Sequence, residues 1–374
     1  MLDTQGQLDE EVLPRSRRRQ FLTGGVRLRV VVFALMSALV VTGVRLALSA
    51  SPYTIERPGP AISLPRVASG GTRTIHNFSY TTVDIVRASW WDYFYSTEFN
   101  HVAHSAFTRV TAESATDLRL QNASDAQAMR QAKASAVYLA FYLVEGKSPL
   151  VGAGAQVVSV DKSSPASSAG LVSGDVITAV NKQAVTTPDG LRHAIETTSG
   201  AVTLHVRRHG SLVALNVIPE PNAQHLRRIG VVITPFEQLN QQAQRLKINT
   251  QGVSGPSGGL MFTLALIDSL SPGDLSGRER VSGTGEISSL GIVGPIGGVR
   301  YKVAGAVRTG ATVFFVPTDN AADAADAAPP SLKVVPVSSI YDALSYLCDH
   351  GATDRICSRL ATVHALLAGS GAVQ

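Results

Sequence analysis

The sequence predicts an α+β fold carried behind one membrane-spanning helix, and three observations lead there. Residues 1 to about 20 are polar and end in Arg15, Arg17, Arg18 and Arg19, after which residues 30–44 run uncharged and apolar. Further on, short strand-like stretches at residues 231–233, 246–249, 312–317 and 332–337 are interspersed with helical patterns, the most apolar at residues 260–270. Of 374 residues, 44% are hydrophobic and 16% charged, which suits a sizeable core; the length accommodates two ordinary domains and an anchor.

Taken in order, residues 1–25 form a basic N-terminus and 26–48 an anchor. A helix needs about 20 apolar residues to cross a bilayer. The run here is short, but Leu46 and Leu48 extend it and Arg45 can snorkel to the interface. The arginine cluster is expected to stay cytoplasmic, which places the rest of the chain outside the cell membrane. A cleaved signal peptide is the rival, since Ala47-Leu48-Ser49-Ala50 offers small residues near a cut; the long polar lead favours a retained anchor. Residues 49–71, rich in Pro, Gly and Ser, read as a linker. Residues 73–80 and 82–88 alternate as strands. The aromatic cluster Trp90, Trp91, Tyr93, Phe94 and Tyr95 reads as core, with the membrane interface as its alternative. Ser124 reads as the cap of a helix running through Met129, Ala132, Ala136, Ala140 and Leu143, with Gln127 in the capping-box place.

The net charge of +5 is small for this length and no basic stripe carries interleaved aromatics, so no nucleic-acid partner is expected. No set of His, Cys, Asp and Glu has metal-ligand spacing, and no Gly-x-x-x-x-Gly-Lys-Ser/Thr loop occurs. Neither metal nor nucleotide nor another cofactor is expected.

Chemistry concentrates at Gly255-Pro256-Ser257-Gly258-Gly259. A serine between glycines, ahead of an apolar run, predicts a sharp turn opening into a buried helix. Such a turn exposes the Ser257 hydroxyl and aims backbone N–H groups, with the positive end of the helix dipole, at a developing oxyanion. The hydroxyl needs a base, either histidine or an amine. Downstream stand Lys302, Lys333, His350 and His364. Lys302 opens a second predicted helix on the apolar side it shares with Val299 and Ala306. Desolvation there lowers an amine's pKa toward a value useful for a general base.

Gly255-Pro256-Ser257-Gly258-Gly259, Thr284-Gly285-Glu286-Ile287 and Gly294-Pro295-Ile296-Gly297-Gly298-Val299-Arg300-Tyr301-Lys302 together resemble, in order and spacing, the proteolytic domain of Lon proteases, most closely the Lon-like proteases with a PDZ domain behind a membrane anchor. The resemblance implies that Ser257 is the nucleophile, Lys302 its base and Thr284 a residue orienting the lysine, with Gly255, Pro256 and Gly258 shaping the oxyanion turn. It also implies a homo-oligomer, of six subunits by analogy. Two departures stand out: Val253 and Ser254 replace the family's Lys-Asp, and Gly258 replaces its usual alanine. Ser254 is a second conceivable nucleophile, although a loop-capping role suits it better.

Residues 150–221 carry Ser164-Pro165-Ala166, Ala169-Gly170-Leu171 and Gly174-Asp175-Val176-Ile177, and resemble a bacterial-type PDZ domain. The implied activity is peptide binding by strand addition at a sheet edge. A carboxylate nest is expected at Gly152, Ala153 and Gly154, before a strand at 155–160, and Arg207, Arg208 and His209 are expected on a solvated hairpin face. The PDZ segment would then be inserted between residues 72–149 and 222–350 of the proteolytic domain, with 351–374 a C-terminal helical tail.

The expected function is that of a membrane-anchored, ATP-independent serine endopeptidase acting on protein or peptide substrates. A trypsin-like protease is disfavoured because His76, His101 and His104 lie in unsuitable surroundings. An anchored PDZ scaffold with an inactive catalytic domain is the non-enzymatic alternative. Cys348 and Cys357 flank a predicted helical turn that can bring them within bonding distance; the alternative is two buried free thiols.

Overall fold

The computed structural model describes residues 16–92, 107–109, 112–221, 225–250 and 252–369. It divides into two compact units, Met1–Arg57 with Asp84–Asp117 and Pro58–Val83 with Leu118–Gln374.

The first unit holds the helix Ser16–Ala47. Its segment Arg29–Ala47, 19 residues with mean hydropathy 2.2 and none of it buried, is long and apolar enough to cross a membrane. The strand Ala50–Ser63 follows almost at once, and its Tyr53, Thr54 and Ile55 pair with Arg109, Thr108 and Phe107. This corrects the linker expected at residues 49–71. Proline and glycine there mark a strand whose backbone is closely approached: in the second unit, a Cβ on Gly59 would lie 2.3 Å from the Thr82 hydroxyl oxygen. Trp90 and Trp91 are exposed rather than buried in a core among the described residues. Tyr93, Phe94, Tyr95, His101 and His104 lie outside the described residues.

In the second unit, the strands Phe78–Ser89, Val281–Gly283, Val313–Pro317 and Lys333–Val337 run parallel in that order, with Phe78, Ser79 and Tyr80 making the first pairing. The helices Val299–Arg308 and Ala321–Ala327 lie on the connections, as parallel neighbours require. Val313–Pro317 is buried throughout, the mark of a strand covered on both faces. Val313 and Phe315 point into a large core with the helix Gly259–Leu270. Phe314 and Val316 point the other way, against Val299, Val303 and Ala324. The helix Gly259–Leu270 is buried from Gly259 to Ser269, which accounts for its almost wholly apolar run from Leu260 to Ile267.

The helix Ala112–Glu145 packs Met129, Ala136, Leu139, Ala140 and Leu143 into the same core. It begins three turns before Ser124, so Ser124 lies inside the helix rather than capping it. Leu360–Gly369 likewise buries Val363 and Leu367 in that core, so the expected C-terminal tail is a packed element. Cys348 and Cys357 are disulfide-bonded, with Cα atoms 5.4 Å apart. Replacing both by serine is expected to cost about 2–3 kcal/mol in denaturant unfolding, the loss appropriate to a short closed loop. An unchanged midpoint would show that the surrounding helices hold the turn unaided.

A second, antiparallel sheet is ordered Val231–Leu239, Leu150–Val160, Val176–Val180, Val202–Arg208, Ser211–Val217. The helix Pro188–Thr197 packs Leu191, Ala194 and Ile195 onto its core. Thr187 caps that helix by accepting from the Gly190 N–H at 3.1 Å, with Pro188 in the first turn. On the hairpin read as solvated, His209 is exposed, while Arg208 is partly exposed and bonded to groups beneath it. Its guanidinium donates to the buried Asp175 at 2.7 Å and 2.8 Å and to the Gly170 carbonyl at 2.8 Å. Burial alone would raise the Asp175 carboxyl, but Arg208 and the Val172 N–H prevail and hold it below its ordinary value.

Candidate active site

Gly255 adopts φ 90° and ψ 145°, a conformation open to glycine, and so turns the chain into the 3-10 turn Pro256–Gly258 that leads straight into Gly259–Leu270. Ser257 is half-buried in that turn. Its N–H has no partner among the described residues and its carbonyl has two. The Thr284 hydroxyl donates to the Ser257 carbonyl oxygen at 3.0 Å, and the Gly285 N–H donates to the same oxygen at 2.7 Å. The Leu260 N–H returns a bond to the Gly285 carbonyl at 3.1 Å. Thr284, fully buried and itself donating its N–H to the Phe315 carbonyl at 2.9 Å, thus braces the serine peptide against the sheet. In this structure it holds the serine, where the resemblance had it orient the lysine.

Gly258 is demanded by its surroundings. A Cβ there would lie 2.6 to 3.1 Å from three ring atoms of Phe262, one helical turn on. Phe262 cannot swing aside easily, because it is fully buried and stands edge-on to Tyr80 with ring centroids 5.0 Å apart. The departure from alanine at this place therefore has a packing cause.

Lys302 comes from the helix Val299–Arg308, entered through Gly298 in the left-handed conformation, φ 66° and ψ 33°. It is 4% exposed, among Val299, Val303 and Ala306, as its spacing predicts. Burial brings its pKa down to about 8, while the Glu286 carboxylate opposes the fall. Glu286 is itself held above the usual carboxylate range by partial desolvation, which Lys302 counteracts. Because Glu286 follows Thr284 and Gly285 directly, one three-residue stretch contacts the Ser257 peptide at one end and interacts with Lys302 at the other. No hydrogen bond joins Ser257 to Lys302 among the described residues; such bonds commonly tighten only with substrate in place. Ser254 is exposed on the preceding loop. That loop is tied down by Lys133, which donates to Thr250 Oγ1 at 2.9 Å.

Gly152, Ala153 and Gly154 do not form an edge nest. They lie inside the strand Leu150–Val160, with Gly152 opposite Glu237 and Gly154 opposite Phe236. On the other side, Cβ atoms on Gly152 and Gly154 would meet the Thr186 and Ile177 carbonyls at 2.3 and 2.7 Å. The sheet edge belongs instead to Val231–Leu239, and a groove runs between it and Pro188–Thr197, lined by Leu191, Ile195, Arg228, Ile229, Val231 and Ile233. At its entrance, the Ile229 and Gly230 carbonyls are taken by the N–H groups of Ala166 at 2.9 Å and Asp161 at 3.0 Å. The N–H groups of Ile229 and Gly230 have no partner among the described residues. Gly230 has φ 80°, and a Cβ on it would strike Ser164. The legible signal for this edge was Arg227-Arg228-Ile229-Gly230-Val231-Val232, a basic pair and a glycine before an apolar strand.

Residues 249–348 match the family model of the Lon protease (S16) C-terminal proteolytic domain, and residues 120–218 that of the PDZ domain. A stretch of 104 residues is 36% identical to Lon protease 1 of Sorangium cellulosum, covering 27% of this chain and 12% of that protein. Over 99 residues the chain is 36% identical to Lon protease 2 of Herpetosiphon aurantiacus, covering 26% of this chain and 12% of that protein. The chain thus spans about an eighth of the length of these relatives. A crystal structure of the PDZ domain of an SdrC-like protein from Listeria monocytogenes aligns over 22% of this chain and 87% of that chain, with 19% identity and a TM-score of 0.20. The strand Val231–Leu239 lies beyond the PDZ match, whereas Ser257, Thr284 and Lys302 all lie inside the proteolytic match. The chain carries a Lon-type proteolytic domain and a PDZ domain.

Proposed function

We propose that this protein is a membrane-anchored serine endopeptidase that works without ATP, uses Ser257 and Lys302 as a dyad, and acts outside the cytoplasm as a homo-oligomer, six subunits by the resemblance. The observation that carries the proteolytic reading is the buried Lys302 amine, whose pKa of about 8 leaves a useful neutral fraction near physiological pH. Neutral Nζ takes the proton as Ser257 Oγ attacks the substrate carbonyl, and the Ser257 N–H faces the oxygen on which charge develops. The protonated amine then gives its proton to the leaving nitrogen. Water repeats the sequence on the ester and frees the serine. Thr284 and Gly285 keep the Ser257 peptide fixed throughout.

Anchoring is supported by the apolar segment Arg29–Ala47, and an extracytoplasmic site by the Cys348–Cys357 bond, which persists in oxidising compartments. No phosphate-binding loop occurs in these 374 residues, in keeping with nucleotide independence. The experiment is a pH–rate profile on an unfolded protein substrate without nucleotide. kcat/KM should rise with pH and reach half its plateau near pH 8, where the amine loses its proton. Glu286→Gln removes the charge that props up the amine's pKa, so the half-point should move to lower pH. A midpoint near pH 6.5, roughly that of histidine, or no movement in the Glu286 variant, would rule this base out.

The PDZ domain is proposed to take an extended peptide as an added strand along Val231–Leu239, with its carboxylate at the Ile229 and Gly230 N–H groups and Arg228. Gly230→Val should abolish binding of a peptide selected for this domain, measured by fluorescence anisotropy. The strand-interior Ala153→Ser should change it less than about threefold, since a surface-like change costs under ~0.5 kcal/mol; the reverse order would return the site to Gly152–Gly154.

A further inference from the structure

At the end of the helix Gly259–Leu270 away from Ser257, three groups from separate parts of the second unit meet. Asp268 is fully buried, about 14 Å along the helix from Gly259. His76, 192 residues earlier in the chain, places its ring nitrogen Nδ1 at 3.2 and 3.0 Å from Oδ1 and Oδ2 of Asp268. Asp274, in the loop after the helix, brings its Oδ1 to 3.6 Å from the same nitrogen. One ligand atom from each residue lies within 4.8 Å of the other two.

Negative charge is in excess here. Asp268 stands in the last turn of its helix, where the unpaired carbonyls already form the negative end of the dipole. Among the described residues, neither Asp268 nor Asp274 pairs with a lysine or arginine; His76 is their one basic partner. A third carboxylate, Asp354, is 3% exposed, and its Oδ2 is buried with no hydrogen-bond partner. Burial raises that carboxyl above its ordinary value, and the charge of Asp268 adds to the rise. A proton on His76 Nδ1 serves one carboxylate oxygen well at a time, whereas Nδ1 stands among oxygens of two carboxylates. A dication at that place is shared by both.

The ligands are already oriented. The Leu275 N–H donates to Asp268 Oδ1 and the His76 N–H to Asp268 Oδ2, each at 2.8 Å. The Ser276 hydroxyl and the Gly277 N–H donate to Asp274 Oδ1 at 2.7 and 3.0 Å. Bonds of this kind fix carboxylates that ligate a metal. A tetrahedral ion with bonds of about 2.0–2.1 Å spaces its ligand atoms about 3.3–3.4 Å apart, close to the 3.2 and 3.6 Å found here. We propose that His76, Asp268 and Asp274 bind one zinc ion, with water in the fourth place on the partly exposed side of His76 and Asp274. The imidazole favours zinc over calcium, which asks for about six to eight oxygens. The ion is structural. It ties the end of the helix to the chain entering the strand Phe78–Ser89, and its ligands are independent of Ser257 and Lys302.

The test is isothermal titration calorimetry of zinc chloride into the untagged full chain in detergent micelles, after treatment with EDTA and its removal. The wild type should take up one zinc per chain, half-saturated at about 1 μM free zinc or below. Asp274→Asn keeps an oxygen for the Ser276 and Gly277 donors but gives up the charge, and His76→Gln gives up the ring nitrogen. Both positions are partly exposed, so the two variants probe the site without disturbing the buried Asp268. Each should weaken zinc binding at least about a hundredfold, more than changes beyond the ligands cost. Zinc at about a hundred times the wild-type Kd should raise the wild-type folding equilibrium constant about a hundredfold in denaturant unfolding, and that of either variant no more than about twofold. No zinc uptake by the wild type overturns the site and leaves His76 a hydrogen-bond partner of Asp268. Zinc held equally by the wild type and both variants belongs elsewhere on the chain and overturns it as well. Calcium bound more tightly than zinc overturns the choice of ion.

Discussion

Lys302→Met should lower kcat/KM on an unfolded protein substrate by at least about a thousandfold, and Ser257→Ala by a similar factor, while both variants unfold at nearly the wild-type midpoint. Methionine matches the length and apolarity that the lysine's 4%-exposed site accepts, but it offers no amine to take the serine proton. The two changes should not multiply. A nucleophile and its base act as one unit, so the double variant should be about as inactive as either single one. Labelling by a fluorophosphonate probe should fail in both. Activity of Lys302→Met within tenfold of wild type, with contaminating protease excluded, would refute the dyad; so would a double variant much worse than the singles, which would place the two residues in separate steps.

Gly258→Ala should lower kcat by about ten- to a hundredfold, the effect of shifting a reacting atom by a fraction of an ångström to one ångström, and should cost about 1–3 kcal/mol of stability through overpacking. The added methyl meets the Phe262 ring at 2.6 Å, and Tyr80 stands against that ring. The turn must open or the ring must move, and either displaces Ser257 relative to the oxygen-bracing Thr284. Phe262→Leu, which takes away the crowded ring atoms, should restore most of the loss when combined with Gly258→Ala. The check is a double-mutant cycle on kcat and on unfolding midpoint. A fully active Gly258→Ala single variant would mean that the helix start yields more readily than its complete burial implies.

The candidate site's parts are legible in the sequence because each is local. Ser257 sits in a turn that glycine and proline impose on their own neighbours, and Lys302 sits on a helix face set by 3.6-residue spacing. The apolar segment Arg29–Ala47 is a matter of composition alone. Three short motifs in the right order then tie the pieces to one kind of domain.

Other features depend on partners far along the chain, and there local reading failed. Pro52, Pro58 and Pro60 suggest a linker, but the segment is a strand because Thr108, opposite Thr54, and Thr82, beside Pro60, lie within reach of it on other strands. Thr82 Oγ1 donates to the Pro60 carbonyl at 2.9 Å, a bond no turn rule anticipates. Gly152–Gly154 looked like an edge loop until Val231–Leu239, some 80 residues later, paired with it and became the edge itself. The pairing of Arg208 with the buried Asp175 is not legible locally because the two lie 33 residues apart.

What the sequence by itself determined is the inventory: a serine in a glycine-bounded turn, an amine on an apolar helix face, a membrane-length segment and the turn signals of a PDZ domain. Only the tertiary structure decided that burial lowers the lysine's pKa while Glu286 opposes it, that Thr284 grips the serine's carbonyl, that Phe262 crowds any side chain at Gly258 and which strand borders the PDZ groove. The physical reason is the range of the forces. Backbone conformation and amphipathic period are written within a few residues, whereas desolvation, ring contacts and strand pairing exist only once distant segments have displaced water from one another.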